Sequence, residues 1–143
     1  MKAFNWQDFL ARHPVFSSLT QGEVAQLLKT ASQERAYSQG SVVVREGESG
    51  DSLFLIGRGS AQVTLQGPDG QPSPLAVLKA GDFFGEVAVL ERRPRSATVT
   101  ATKRCRLLEI KGEECRSFLA VHPDMRSKVY AKMNERLRQS SPQ

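Results

Sequence analysis

Apolar positions near the start of this chain follow the three- and four-residue spacing of helices. The stretch from Phe4 to Arg12 places its apolar residues on one face and predicts a short amphipathic helix. Thr20 and Glu23 have the spacing of a capping box, which predicts the start of a second helix with an apolar face from Val24 to Ala31. The chain therefore begins with a helical unit at about residues 4–32.

Short apolar runs separated by turn signals replace this spacing between about residues 33 and 111. Strands are predicted at residues 36–38, 42–44, 53–56, 61–65, 75–78, 97–101 and 106–110. The sequence Gly67-Pro68-Asp69-Gly70 lies between two of them and predicts a hairpin tip. Many short strands at this spacing predict an antiparallel β-roll, a double-sheet jelly roll. With helices at both ends, the predicted fold class is α+β.

Helical spacing returns after Lys111 and predicts C-terminal helices at about residues 112–139. The first runs from Glu113 to Val121 and ends at His122-Pro123, and Asp124 is expected to cap the next. Three apolar residues of that last helix are spaced by four: Val129, Met133 and Leu137. Such a stripe is typical of core packing or of a seam with a partner helix. By its length, the whole chain, 1–143, is interpreted as one domain.

Composition narrows the classes of function. Apolar residues make up 39% and charged residues 24%, as in ordinary globular proteins, and no apolar run is long enough to span a bilayer. The N-terminus has no apolar signal core, and the two cysteines, Cys105 and Cys115, fit a reducing compartment, so a cytoplasmic location is expected. The net charge of +5 is interpreted as a solvated basic surface, because aromatic residues do not interleave with the basic ones.

The stretch from Gly81 to Ala101 differs from ordinary strand and helix. Gly81 and Gly85 frame a short apolar turn, Glu86 stands where a short helix would begin, and Arg95 precedes a strand. Small residues leave room for a ligand to approach the backbone: Gly85, Ala88, Ser96 and Ala97. A helix N-terminus beside a permanently charged guanidinium predicts an anion-binding site.

Two segments of this stretch, Phe84-Gly85-Glu86-Val87-Ala88 and Pro94-Arg95-Ser96-Ala97-Thr98, resemble the phosphate-binding cassette of the cyclic-nucleotide-binding domain family. That family includes the regulatory subunits of protein kinase A, catabolite activator proteins and nucleotide-gated channels. The resemblance covers nearly the whole chain, and the glycines at 40, 47, 59 and 81 agree with it. It implies a cyclic nucleotide, cAMP or cGMP, in a pocket of the β-roll, with the C-terminal helix closing over the base.

Roles for individual residues follow from the resemblance. Arg95 would hold the cyclic phosphate, and Glu86 would accept a hydrogen bond from the ribose 2′-hydroxyl rather than serve only as a helix-dipole partner. The predicted ligand-binding residues are Gly85, Glu86, Val87, Ala88, Arg95, Ser96 and Ala97, with Val63 and Leu75 from strands. Val44 and Leu78 match further pocket positions, and all four strand residues are also ordinary core residues. Arg92 and Arg93 flank the cassette and are interpreted as solvated.

Ser96 does not decide which base the ligand carries. In the family, a hydroxyl at this position bonds a syn guanine and favours cGMP, but serine also occurs in cAMP binders of the catabolite activator type. We favour cAMP, with cGMP as the alternative. Tyr130 or Met133 is the expected residue that caps the base.

A regulatory module that signals through its C-terminal helix is the favoured function. The alternatives are a binding-silent scaffold that contacts another protein through the Val129, Met133 and Leu137 stripe and, from net charge alone, a nucleic-acid binder. Neither an enzyme nor a cofactor or metal site is expected, because His13 and His122 both precede proline at predicted helix ends, far apart.

Expected partners are a cyclic nucleotide and an effector domain or partner protein, with a homodimer through the C-terminal helix as a further option. The chain ends soon after its last helix, so we expect no helix-turn-helix for DNA binding and no membrane segment. It is interpreted as a stand-alone sensor or as the input domain of a larger protein.

Overall fold

The structure, a computed structural model, describes residues 3–140. The N-terminal unit consists of α1 (Trp6–Arg12), α2 (Gln21–Gln26) and a π-helical turn over Leu27–Ala31. Thr20 and Glu23 make both hydrogen bonds of the predicted capping box, with N···O distances of 2.9 and 3.1 Å. The predicted start of the second helix is therefore confirmed.

Eight strands follow in the described part of the chain and form two antiparallel sheets. They are β1 (Ser32–Tyr37), β2 (Val42–Val44), β3 (Ser52–Arg58), β4 (Ser60–Gln66), β5 (Pro72–Lys79), β6 (Phe83–Phe84), β7 (Thr98–Ala101) and β8 (Cys105–Lys111). One sheet has the order β1-β8-β3-β6 and the other β2-β7-β4-β5. The predicted hairpin tip joins β4 to β5, and the predicted α+β fold with a double-sheet roll is confirmed.

The short strand β6 corrects the expectation that an apolar turn lies between the glycines at 81 and 85. Phe83 and Phe84 pair with Leu55 and Phe54 of β3. Because successive strand residues point to opposite faces, Phe83 enters the core under the helices and Phe84 enters the core of the roll. A strand of two residues is too short to produce a recognisable alternation in the sequence.

Strand β3 lies at the centre of the molecule, between two apolar cores. Leu53 and Leu55 face the helices, whereas Phe54 and Ile56 face the second sheet. Every residue from Ser52 to Gly57 is buried. The sheet that carries β3 is thus covered on both faces. Because β6 pairs with β3 and leads into the cassette, this buried strand fixes where the cassette begins.

The short helix α3 (Glu86–Glu91) follows β6, and two helices complete the described chain: α4 (Gly112–Val121) and α5 (Pro123–Ser140). The expectation that Asp124 caps the last helix is wrong, because the helix begins at Pro123, a residue suited to the first helical position. Val129 and Met133 are buried, with 1% and 3% of their surface exposed. These two residues of the stripe therefore pack on their own chain and are not available as a seam for a partner.

Candidate functional site

The cassette crosses from one sheet to the other. After β6, Gly85 adopts a φ of +94° and is followed by the short helix α3 (Glu86–Glu91), and the chain then enters β7. A Cβ atom on Gly85 would lie 2.7 Å from the Ser52 carbonyl oxygen and 2.9 Å from Nη1 of Arg95. Glycine is needed here both for the backbone conformation and for this close approach.

Arg95 lies in the loop after α3, and only 7% of its surface is exposed. Its Nη1 donates to the Ser52 carbonyl oxygen at 2.9 Å, and its Nη2 donates to the Ser52 hydroxyl at 3.0 Å. The guanidinium carbon stands 5.6 Å from the centre of the Phe54 ring. The backbone of Arg95 is held as well, because it exchanges 2.8 Å hydrogen bonds with Gly47 and Glu48.

The charge of Arg95 is supported by nearby carboxylates. Burial lowers the pKa of Arg95, and the negative charges of Glu109, Asp51 and Glu86 oppose that shift. An arginine side chain nevertheless stays protonated in a protein. The loop after α3 thus presents a permanent buried cation.

Glu86, the first residue of α3, is 3% exposed. Its carboxylate pairs with the guanidinium of Arg136 on α5, which also stands 5.4 Å from the centre of the Phe83 ring. This ion pair joins the cassette helix to the C-terminal helix. Arg136 is a site residue that the sequence did not predict. The only feature of the sequence that points to it is its position on the same helix as the predicted apolar stripe.

A second ion pair holds the far end of α3. Arg116 of α4 donates to both carboxylate oxygens of Asp51, at 2.8 and 3.0 Å, and to the carbonyl oxygen of Val89 at 3.0 Å. These bonds lower the pKa of the Asp51 carboxyl. Since Val89 belongs to α3, the position of the cassette helix depends on α4 as well as on α5.

These elements form the walls of a cavity that opens to solvent between the cassette, the second sheet and α5. All nine predicted ligand-binding residues line it: Val63, Leu75, Gly85, Glu86, Val87, Ala88, Arg95, Ser96 and Ala97. Val44 and Leu78 line it too, as expected. An apolar wall from the second sheet faces a cassette that carries one buried cation and one buried acid.

The rim of the cavity differs from the prediction. Neither Tyr130 nor Met133 lines it, because Met133 packs in the core and Tyr130 is 39% exposed on the surface. Arg136 and Leu137 of α5 occupy this place instead. The predicted helix reaches the cavity, but it does so through residues further along the chain than Tyr130 and Met133.

Arg92 and Arg93 are exposed and do not line this cavity, in agreement with their interpretation as solvated.

The two histidines lie outside the cavity. His13 is bonded through Nε2 to the Gly81 carbonyl oxygen at 2.6 Å, and Nε2 of His122 lies 2.8 Å from a carboxylate oxygen of Glu23. Within residues 3–140, no group of three or more histidine, cysteine or acidic residues is placed to hold a metal ion. Both cysteines are buried and free, and burial raises the pKa of Cys115 to about 12.

No helix in the described part of the chain is both long and apolar enough to cross a membrane.

Comparison with known proteins gives consistent matches. A sequence model of the cyclic nucleotide-binding domain matches residues 34–122. A Rhodopseudomonas palustris protein, provisionally named a potassium channel protein, is 39% identical over 87% of this chain and 29% of its own. The regulatory subunit of the cAMP-dependent protein kinase of Yarrowia lipolytica is 39% identical over 71% of this chain and 26% of its own.

A solved structure agrees with these sequence matches. The regulatory domain of Toxoplasma gondii PKA, crystallised with cAMP, superposes with a TM-score of 0.77 and 27% identity, covering 91% of this chain and 49% of that chain. The present chain thus spans only part of the length of the relatives it matches.

Proposed function

Because this chain belongs to the cyclic nucleotide-binding domain family, we propose that it binds cAMP in the cavity between the cassette and α5 and thereby regulates an effector. The observation that carries this proposal is the convergence of a buried cation, Arg95, and a buried acid, Glu86, on one mostly apolar cavity. A cyclic nucleotide has the complementary parts: an anionic phosphate, a ribose 2′-hydroxyl and an apolar base face. The proposal includes three further points: residues 1–143 form one domain, the domain acts in the cytoplasm, and it has no enzymatic activity of its own.

Arg95 is the proposed phosphate ligand. Ser52 takes one hydrogen from each terminal nitrogen of the guanidinium, and each of those nitrogens carries a second hydrogen. A phosphate oxygen can accept one of these remaining hydrogens in a charge-assisted hydrogen bond. The first N–H groups of α3, next to Gly85, have no partner within the helix and add a partial positive charge.

Glu86 is the proposed ribose ligand and the link to α5. One of its carboxylate oxygens is bonded to Arg136, and the second is free of that bond and can accept a hydrogen from a ribose hydroxyl. A ligand that bonds Glu86 therefore acts on the same carboxylate that holds α5. A shift of α5 between two positions, driven by a difference in ligand affinity, is the proposed signal.

cGMP is the second candidate, because Ser96 is compatible with either base. This serine is exposed at the cavity and offers a hydroxyl that a guanine could use. The scaffold alternative is weaker, because the Val129 and Met133 side chains that it requires are buried. Dimerisation through α5 and an effector domain or partner protein remain predictions.

Calorimetric titration with cAMP and with cGMP tests the proposal. Wild-type protein should bind at least one of them, and Arg95→Ala should weaken binding by about 1.5–3 kcal/mol, roughly 10- to 150-fold, because a charge-assisted contact is lost. Arg93→Ala is the matched control, since it removes an exposed arginine two residues away and should leave affinity unchanged. No binding of either nucleotide to the wild type, or equal effects of the two substitutions, would refute the proposal.

A further inference from the structure

A row of polar side chains continues from Arg95 away from the cavity. The Ser52 hydroxyl accepts from Nη2 of Arg95 at 3.0 Å and donates to one carboxylate oxygen of Glu109 at 2.7 Å. The other Glu109 oxygen accepts from Nε of Arg35 at 2.8 Å. We call the side chains of Arg35, Glu109 and Ser52 the relay. It connects Arg95 with an exposed arginine on the edge strand β1.

Strand register places the relay in line. Glu109 of β8 pairs with Phe54 of β3, so it lies diagonally opposite Ser52 on the same face of the sheet. Arg35 of β1 pairs with Leu107 and therefore shares that face with Glu109, two residues along β8. The row follows the strand order β1-β8-β3 and ends beneath the guanidinium of Arg95.

The donor and acceptor groups of the relay determine the direction of each hydrogen bond in it. A carboxylate only accepts hydrogen bonds, so Glu109 takes the single hydrogen of the Ser52 hydroxyl. The lone pairs of that hydroxyl are then left to face Nη2 of Arg95. Glu109 thus sets the orientation of Ser52, and its own charge helps to compensate the buried guanidinium.

We propose that Ser52 and Glu109 are positioning residues, which hold the Arg95 guanidinium at one angle so that it meets one particular exocyclic oxygen of the bound phosphate. The inference rests on the proposed function, since it concerns the same site. The hydrogen bond to the Ser52 carbonyl oxygen restrains only Nη1, so by itself it does not define the orientation of the guanidinium plane. The second bond, to an oriented hydroxyl, fixes the plane.

The two phosphorothioate diastereomers of cAMP test this, because each replaces a different exocyclic oxygen by sulfur, a weak acceptor. Wild-type protein should prefer one diastereomer by about tenfold or more, the size of one charge-assisted contact. In Ser52→Ala the preference should fall to about threefold or less, and Glu109→Ala should act in the same direction. Ser52→Thr keeps the hydroxyl and should restore the preference.

Ser60→Ala is the matched control, since it removes a strand hydroxyl that lies 2.7 Å from the Thr102 hydroxyl and is remote from Arg95. It should leave the diastereomer preference unchanged. A purely structural role for Ser52 would weaken both diastereomers equally and leave their ratio as in the wild type, which would overturn the inference. A wild type that binds cAMP without diastereomer preference would overturn it too. Absence of any binding of cAMP or cGMP would instead refute the proposed function.

Discussion

Gly85→Ala is the substitution whose effect the structure predicts most closely, because Gly81 provides an internal reference. The two glycines have nearly the same φ, +94° at Gly85 and +95° at Gly81, in the left-handed region. They differ in what an added Cβ atom would meet. At Gly81 nothing lies within 4 Å, whereas at Gly85 the Cβ would lie 2.7 Å from the Ser52 carbonyl oxygen and 2.9 Å from Nη1 of Arg95.

The magnitudes follow from this difference. Alanine in a left-handed conformation costs about 1–2 kcal/mol, so Gly81→Ala should lower the free energy of unfolding by that amount. Gly85→Ala carries the same backbone cost and adds an overpacking cost of about 1–3 kcal/mol, because the carbonyl belongs to the buried strand β3 and cannot withdraw. The expected loss at Gly85 is therefore about 2–5 kcal/mol. Arg95 is also displaced, so nucleotide affinity should fall.

Urea unfolding of both variants measures the change in the free energy of unfolding, and titration with cAMP measures the change in nucleotide affinity. Gly81→Ala should keep the affinity of the wild type, while Gly85→Ala should lose about tenfold or more. Equal stability losses at the two positions would show that the contacts at Gly85 impose no cost. Normal cAMP affinity in Gly85→Ala would show that the close approach to Arg95 does not shape the site.

Two further substitutions probe the ion pair with α5 and a buried histidine. Arg136→Gln should lower the free energy of unfolding by about 1–3 kcal/mol, because Glu86 stays buried without its cation. Adding Glu86→Gln to this variant should restore part of the loss, as measured by urea unfolding. Additive losses from the two substitutions would contradict the pairing. Burial lowers the pKa of His13 below its ordinary value of about 6.5, so the unfolded chain binds more protons and stability falls as the pH drops below that value. His13→Gln should therefore lose less stability than the wild type between about pH 7.5 and 5.5, and equal losses would refute this.

Local signals explain what the sequence could predict. The capping box at Thr20 and the hairpin tip at Gly67-Pro68-Asp69-Gly70 each depend on residues a few positions apart, and both appear in the structure as expected. The cassette is equally local, because Gly85, Glu86 and Arg95 are separated by only ten positions. Its seven predicted residues consequently line one cavity, together with Val63 and Leu75 of the second sheet.

Long-range packing explains what the sequence could not predict. The first residues of β1 are polar, and they form a strand only because β8 pairs with them from Ser32 to Tyr37. Glu86 and Arg136 are 50 positions apart, and their contact depends on how α5 crosses the cassette. The relay behind Arg95 depends on the register of three strands, which no local pattern encodes.

Helix α5 serves both the core and the cavity, and this limits how a ligand can move it. Its core side chains are almost fully buried: Met125, Val129 and Met133 are 1%, 1% and 3% exposed. Withdrawing all three would cost roughly 5–9 kcal/mol at about 1.5–3 kcal/mol each, whereas coupling between a ligand and a distant element is typically about 1–3 kcal/mol. The residues that reach the cavity, Arg136 and Leu137, follow the last of these anchors. We therefore expect any ligand-driven shift to be confined to the turns of α5 after Met133, with the rest of the helix held in place.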